Sequence, residues 1–108
     1  MKRYMVVLAA SRRDGGLCYA GKELLNVETR SGRLLHADVG GWLRPVPPKG
    51  GALQARDMGL RWWRGPARPL DVIEISLQAP MPLSYQPENW AIGRRKPHRV
   101  ATWAAGNL

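Results

Sequence analysis

The sequence predicts an all-β (mainly β) protein, a small barrel with one long irregular connection. Three observations carry this reading. Residues 70–77 alternate apolar with polar side chains around a β-branched centre, the period of a strand with one face on a core. Residues 26–30 and 33–39 flank Ser31-Gly32, a two-residue hairpin pattern. Elsewhere 12 Gly and 9 Pro punctuate the chain so closely that four to six short strands fit and no convincing helix does.

In chain order, residues 4–10 form a continuous apolar run of strand length, expected to be buried on both faces. Arg12, Arg13 and Asp14-Gly15-Gly16 end it with the chemistry of a turn at positive φ. The run is too short for a signal peptide, and charge follows where a cleavage site would be needed. No segment approaches the roughly 20 apolar residues of a membrane span, so no membrane partner is expected. Residues 17–21 and 21–25 suit a short strand or a helical turn equally. Gly40-Gly41 predicts a bend into an extended piece, residues 42–46, where Pro45 argues against a central, fully paired position.

Residues 47–69 are the least regular, opened by Pro47-Pro48-Lys49-Gly50-Gly51 and closed by Gly65-Pro66-Ala67-Arg68-Pro69. Residues 52–64 have room for one or two helical turns. A connection this long is expected to be functional, mobile or both. After the strand at 70–77, Ala79-Pro80-Met81-Pro82 should break the ladder, because proline cannot donate to it. Val72, Ile73, Ile75 and Leu77 read as barrel wall. Residues 85–90 read as bracing, with Gln86 and Asn89 satisfying backbone groups. A basic run, Gly93-Arg94-Arg95-Lys96-Pro97-His98-Arg99, precedes a short apolar tail. Residues 1–92 are therefore expected to be the barrel domain and 93–108 a basic C-terminal extension.

A chain of 108 residues with 44% hydrophobic content suits one globular domain. Phe is absent, so five Trp and three Tyr supply the aromatic bulk. The net charge is +9, from 17 Lys+Arg against 8 Asp+Glu, and 13 of the 17 are Arg. Arginine suits bidentate phosphate contacts and stacking on bases, which points to an anionic partner, most often nucleic acid. A GC-rich genome that substitutes Arg for Lys is the competing explanation. Cys18 is the only cysteine. It excludes an intrachain disulfide and a cysteine-held zinc, and it fits a reducing cytoplasm.

Basic residues interleaved with aromatics are the strongest functional pattern. Arg56, Arg61, Trp62, Trp63, Arg64 and Arg68 crowd the long connection, Trp42 sits two residues from Arg44, and Trp90 precedes Arg94, Arg95 and Lys96. Proteins that hold single strands combine a cationic groove with aromatic faces on which bases stack. Filling the core is the commoner role for Trp42 and Trp90. Trp62 and Trp63, being adjacent, cannot both point inward from an extended segment. Arg94 to Arg99 with His98 reads either as a phosphate clamp or as a solvated loop. Catalysis has little support. Cys18 with His36 or His98 is a nucleophile–base option, but a lone cysteine is far more often a small buried residue. Asp14, Asp57, Asp71 and Glu74 match no metal spacing, and Glu74 reads as a surface carboxylate. Gly15-Gly16 and Gly40-Gly41 lack the helix and lysine of a phosphate-binding loop. No enzyme activity, cofactor or metal is expected.

Four pieces in order carry a resemblance: residues 11–22 (Ser-Arg-Arg-Asp-Gly-Gly-Leu-Cys-Tyr-Ala-Gly-Lys), 41–46 (Gly-Trp-Leu-Arg-Pro-Val), 70–75 (Leu-Asp-Val-Ile-Glu-Ile) and 85–90 (Tyr-Gln-Pro-Glu-Asn-Trp). Together they resemble the dual OB-containing domain family over most of the chain up to about residue 92. The resemblance implies an OB-like β-barrel, here a small OB-like or SH3-like barrel, and recognition of nucleic acid in bacterial or phage conflict settings. Its motif positions are Arg12, Gly16, Cys18, Gly21, Lys22, Trp42, Arg44, Pro45, Gln86, Glu88 and Asn89. Family members carry a second barrel after the Gln-Pro-Glu-Asn segment, whereas only residues 93–108 remain here. A shortened, single-barrel member is expected, with dimerisation replacing the missing half.

The expected activity is non-catalytic binding of nucleic acid. Single-stranded DNA or RNA is favoured over duplex because no recognition helix is available for a major groove. The expected contacts are Arg12, Arg13, Lys22, Trp42, Arg44, Arg61, Trp62, Trp63, Arg64, Arg94 and Arg95. The alternative is an assembly subunit that forms a homodimer, or binds a partner protein, through Trp62-Trp63 and an open strand edge.

Overall fold

A computed structural model of the chain describes residues 1–13, 16–59 and 65–104, Arg13 by its backbone alone. These residues form strands β1 (Lys2–Arg13), β2 (Gly16–Arg30), β3 (Arg33–Val46), β4 (Asp71–Pro80), β5 (Asn89–Ile92) and β6 (His98–Thr102), with a short 3-10 turn at Ala55–Met58. Strands account for most of the described residues. Among the described residues there is no α-helix, and none is long and apolar enough to cross a membrane.

β1 to β5 close a five-stranded barrel, as the all-β prediction requires. Around the ring, β1 pairs with β2, β2 with β3, β3 with β5, β5 with β4, and β4 with β1. The β3–β5 contact is parallel and the others are antiparallel. Because successive strand residues point to opposite faces, Met5 and Val7 enter the barrel beside Ile73, Ile75 and Leu77 of β4. Leu17, Tyr19 and Leu43 join that core, with Trp90 and Ile92 half-buried against it.

Opposite positions on the same strands build a second core. Val6 and Val72 face away from the barrel interior and pack with Leu24, Leu34 and Ala101, bordered by Tyr4, Val27, Ala37, Val100 and Trp103. β6 covers this side, paired to β4 from Asp71↔Thr102 to Glu74↔His98. An Arg33↔Thr102 bridge ties it to β3. The segment after Ile92 thus supplies a strand of the sheet. β1 and β4 are a shared wall between two cores, which is why Met5, Val6 and Val7 are all buried. Burial of the 4–10 run ends there: a bulge between Val7 and Ala9 turns residues 8–10 out to solvent.

Local readings were settled by pairing. Residues 17–25, ambiguous by periodicity, are strand because β1 and β3 flank them. Ser31 (φ 51) and Gly32 (φ 77) make the two-residue turn, with Arg30 opposite Arg33. Gly40-Gly41 does not interrupt β3; the pair sits in a bulge between Lys22↔Trp42 and Leu24↔Val39. Pro45 pairs only with Trp90 of β5, beyond the last β2–β3 pair, Gly21↔Leu43. The ladder of β4 also continues further than its prolines suggest, through Ala79↔Ala91 to Pro80↔Trp90. Pro80 lies at the strand's end, where its missing N–H costs little.

The long connection is structural where it is described. Leu53, Met58 and Ala67 belong to the first core. Leu17 N–H donates to the Leu53 carbonyl (2.7 Å), Ala67 N–H to the Met58 carbonyl (2.9 Å) and the Tyr19 hydroxyl to the Ala67 carbonyl (2.8 Å). Asp71, one of the acids that match no metal spacing, is buried. Its carboxylate accepts from Arg68 N–H at 2.9 Å and lies 3.7 Å from the Arg99 guanidinium.

Burial raises the Tyr19 phenol above its ordinary pKa; Arg12 opposes the shift and Asp71 adds to it. A raised phenol pKa means the fold favours the neutral form. That stabilisation is complete below the unfolded value, about 10, and disappears as pH rises through the folded value. Denaturant midpoints should therefore fall in the alkaline range. Tyr19→Phe should cost about 1–3 kcal/mol at neutral pH, because the Ala67 carbonyl loses its buried donor, and should flatten part of the alkaline fall. An unchanged pH profile in the variant would exclude Tyr19 as the titrating group.

Candidate nucleic-acid interface

With Leu17, Tyr19, Leu43 and Pro45 turned into the barrel, the alternate residues Cys18, Ala20 and Lys22 of β2 and Trp42, Arg44 and Val46 of β3 form its outer face. Lys22 and Trp42 are direct partners in the ladder. The Lys22 ammonium lies 4.5 Å from the centroid of the Trp42 ring, which stays 54% exposed. An exposed cation–π contact of this kind contributes about 0.5–1 kcal/mol. It holds the indole in one orientation with its remaining surface in water.

The β4–β5 connection docks on the same face. Arg44 N–H donates to the Glu88 carbonyl (3.2 Å), and Arg44 Nε lies 3.5 Å from Glu88 Oε1. Leu83 and Gln86 exchange backbone hydrogen bonds (3.1 and 2.9 Å), making a tight turn that carries Tyr85, 76% exposed, near its tip. A small groove of ≈ 90 Å³ runs between Cys18, Arg44, Gln86 and Ala52. Gln86 and Asn89 were expected to satisfy backbone groups; their side chains bond each other instead, Nδ2 of Asn89 donating to Oε1 of Gln86 at 3.3 Å. Asn89 Oδ1 is buried with no partner among the described residues.

Lys22, Trp42 and Arg44 are thus brought together, and Arg12, Arg94 and Arg95 lie elsewhere. Arg12 stands opposite Leu17 at the barrel mouth, where its charge acts on Tyr19. Arg94 and Arg95 lie in the β5–β6 loop. Arg61, Trp62, Trp63, Arg64 and the side chain of Arg13 lie outside the described residues. The core reading fails for Trp42, which is exposed, and holds in part for Trp90, half-buried on the first core with the Arg3 guanidinium 5.0 Å from its ring. Cys18 lines the groove, whereas His36 sits near the far end of the hairpin, 3.4 Å from Asp38, and His98 lies on β6. Tyr85 was not among the expected contacts. Its signal in the sequence was the polar, Pro-braced turn around it.

A family model described as the dual OB-containing domain matches residues 3–107. The chain belongs to that family. The matched span includes β6, so both cores of this dual OB domain lie within it. No curated protein and no solved structure matches the chain.

Proposed function

We propose that this dual OB domain is a non-catalytic module that binds single-stranded nucleic acid on the outer face of β2 and β3. The observation that carries the reading is the exposed Trp42 ring, steadied by Lys22 and two residues along β3 from Arg44, which lines the groove. In OB barrels the face of strands 2 and 3, with the β1–β2 and β4–β5 loops, is where oligonucleotides bind. A base stacked on the free surface of Trp42 would place its phosphate near Lys22, and Tyr85 offers a second ring. Arg44 is partly neutralised by Glu88, so it serves orientation more than attraction. The family resemblance supports a bacterial or phage conflict setting, and the lone thiol suits a cytoplasmic one.

Fluorescence anisotropy of a short labelled single strand tests this. Neutralising about four phosphates gives a slope near −2.8 in log K against log salt. Absence of binding at about 50 mM salt ends the reading, and a flat slope rejects its electrostatic part. Trp42→Ala should weaken binding by about 1–3 kcal/mol, the worth of one stacked base, with an unchanged melting temperature.

Exposed Leu25, Leu35 and Val39 along the hairpin favour a second reading, assembly with another protein or a second copy. A dimer seen by light scattering and dissociated by Leu35→Asp, together with no oligonucleotide affinity, would select it.

A further inference from the structure

We infer that the cleft between β1, β4 and the β5–β6 loop is a binding site for a terminal phosphate group, separate from the stacking face. The cleft measures ≈ 510 Å³ and is lined by Lys2, Glu74, Ser76, Arg95, Lys96 and His98. That volume lies in the range of small-ligand sites, and none of these residues lines the groove at Cys18 and Arg44.

The loop that carries the cations is held in place. Gly93 N–H donates to the Ser76 carbonyl at 2.7 Å. Gly93 lies so close to Ser76 that a Cβ there would collide with the Ser76 hydroxyl. At the other end Pro97 is buried, and His98 is locked opposite Glu74 in the β4–β6 ladder. Arg95 and Lys96 therefore project from a short span anchored on both sides, which lowers the ordering cost of binding.

The charge in the cleft is uneven. Its one carboxylate, Glu74, accepts from the Tyr4 hydroxyl at 3.2 Å and lies 3.9 Å from Lys2. Among the described residues, Arg95 and Lys96 have no carboxylate in ion-pair range. Two uncompensated cations, an imidazole and a hydroxyl thus converge on one cavity. An extended strand presents one charge per phosphodiester and suits a row of cations along a track. A terminal phosphate concentrates a charge of about −1.5 to −2 and three acceptor oxygens in one place. The planar guanidinium fork, the ammonium and the Ser76 hydroxyl match that demand. The phosphate belongs either to the end of a nucleic-acid strand or to a free phosphomonoester.

Titrating the full chain with inorganic phosphate, followed by amide NMR, tests the site without depending on strand binding. Saturable shifts are expected at Ser76, Arg95, Lys96 and His98, and Arg95→Gln with Lys96→Gln should weaken affinity by about tenfold or more. Trp42→Ala should leave it unchanged. A 5′-phosphorylated oligothymidylate compared with its 5′-hydroxyl form identifies the source. Tighter binding of the phosphorylated strand, lost in the double variant, assigns a strand end. Equal binding of the two strands, with the phosphate response intact, assigns a free phosphomonoester. Shifts spread evenly over exposed basic residues such as Arg30 and Arg33, or a phosphate affinity that survives the double variant, would overturn the site. Both substituted residues are exposed, so a folded variant is expected and its spectrum reports directly.

Discussion

Gly21→Ala should unfold the domain or bring it close to unfolding. Gly21 is buried in β2, opposite Val7 of β1 and Leu43 of β3. A Cβ added there would run into the Val6 carbonyl oxygen and lie 2.8 Å from Met5 Cε. The methionine tip can move, but the carbonyl belongs to β1, the wall shared by both cores. The cost is steric and not one of backbone conformation, since Gly21 is not among the glycines at positive φ. Overpacking against a fixed backbone costs about 3 kcal/mol or more, against a total stability of about 5–15 kcal/mol. Gly41→Ala is the matched control: nothing lies within 4 Å of its Cβ position, and a change within about 0.5 kcal/mol is expected. Chemical denaturation of the two variants decides. Equal midpoints would show that β1 and β2 can separate locally, and the close approach would not govern the fold.

Met58→Ala should cost about 2–5 kcal/mol, the range for removing a large buried side chain and leaving a cavity. Met58 is fully buried although it sits in the 3-10 turn of the β3–β4 connection. It packs in the first core with Leu53 and Ala67 from the same connection. Its two neighbouring backbone ties, Leu17 to Leu53 and Ala67 to Met58, hold the connection across one end of the barrel, so the surroundings have little freedom to collapse into the hole. A loss below about 1 kcal/mol would mean that the connection merely rests on the barrel and that residues 52–58 are dispensable to its stability.

The contrast between these two sites shows where sequence reasoning was strong. Gly21 lies in a stretch whose apolar residues are informative once it is known to be a strand, yet Gly, Lys and Glu at 21–23 left helix and strand equally open. Only the approach of β1 requires glycine there. Met58 lies in a segment whose Pro and Gly flanks correctly indicated irregular backbone, and irregular backbone carries no period from which burial can be read. The candidate interface divides in the same way. Of the three motif cations Arg12, Lys22 and Arg44, Lys22 and Arg44 lie together on one face, whereas Arg12 stands opposite Leu17 at the barrel mouth. Trp42 carried two opposed readings, core filler and stacking platform. Side-chain size favours both, and the choice rested on which face of β3 met the barrel. For Arg95 the composition indicated an anion site, but not that Gly93 and Pro97 would press its loop against Ser76 and shape a cavity.

The sequence by itself determined that this chain is all-β, where its hairpin turns, and that its surface is strongly cationic. Each follows from local chemistry: a period of two, a Ser-Gly pair able to take positive φ, and a count of charges. The tertiary structure alone decided that β1 and β4 serve two cores at once, that β6 covers the second, and that Trp42 remains outside both. Alternation distinguishes the two faces of a strand but does not say what each face meets. Consecutive buried residues such as Met5-Val6-Val7 and Val72-Ile73 are compatible with one deep core or with two shallow ones. Strand order around the ring settles the matter, and that order depends on contacts between residues as distant in the chain as Lys2 and Ser76.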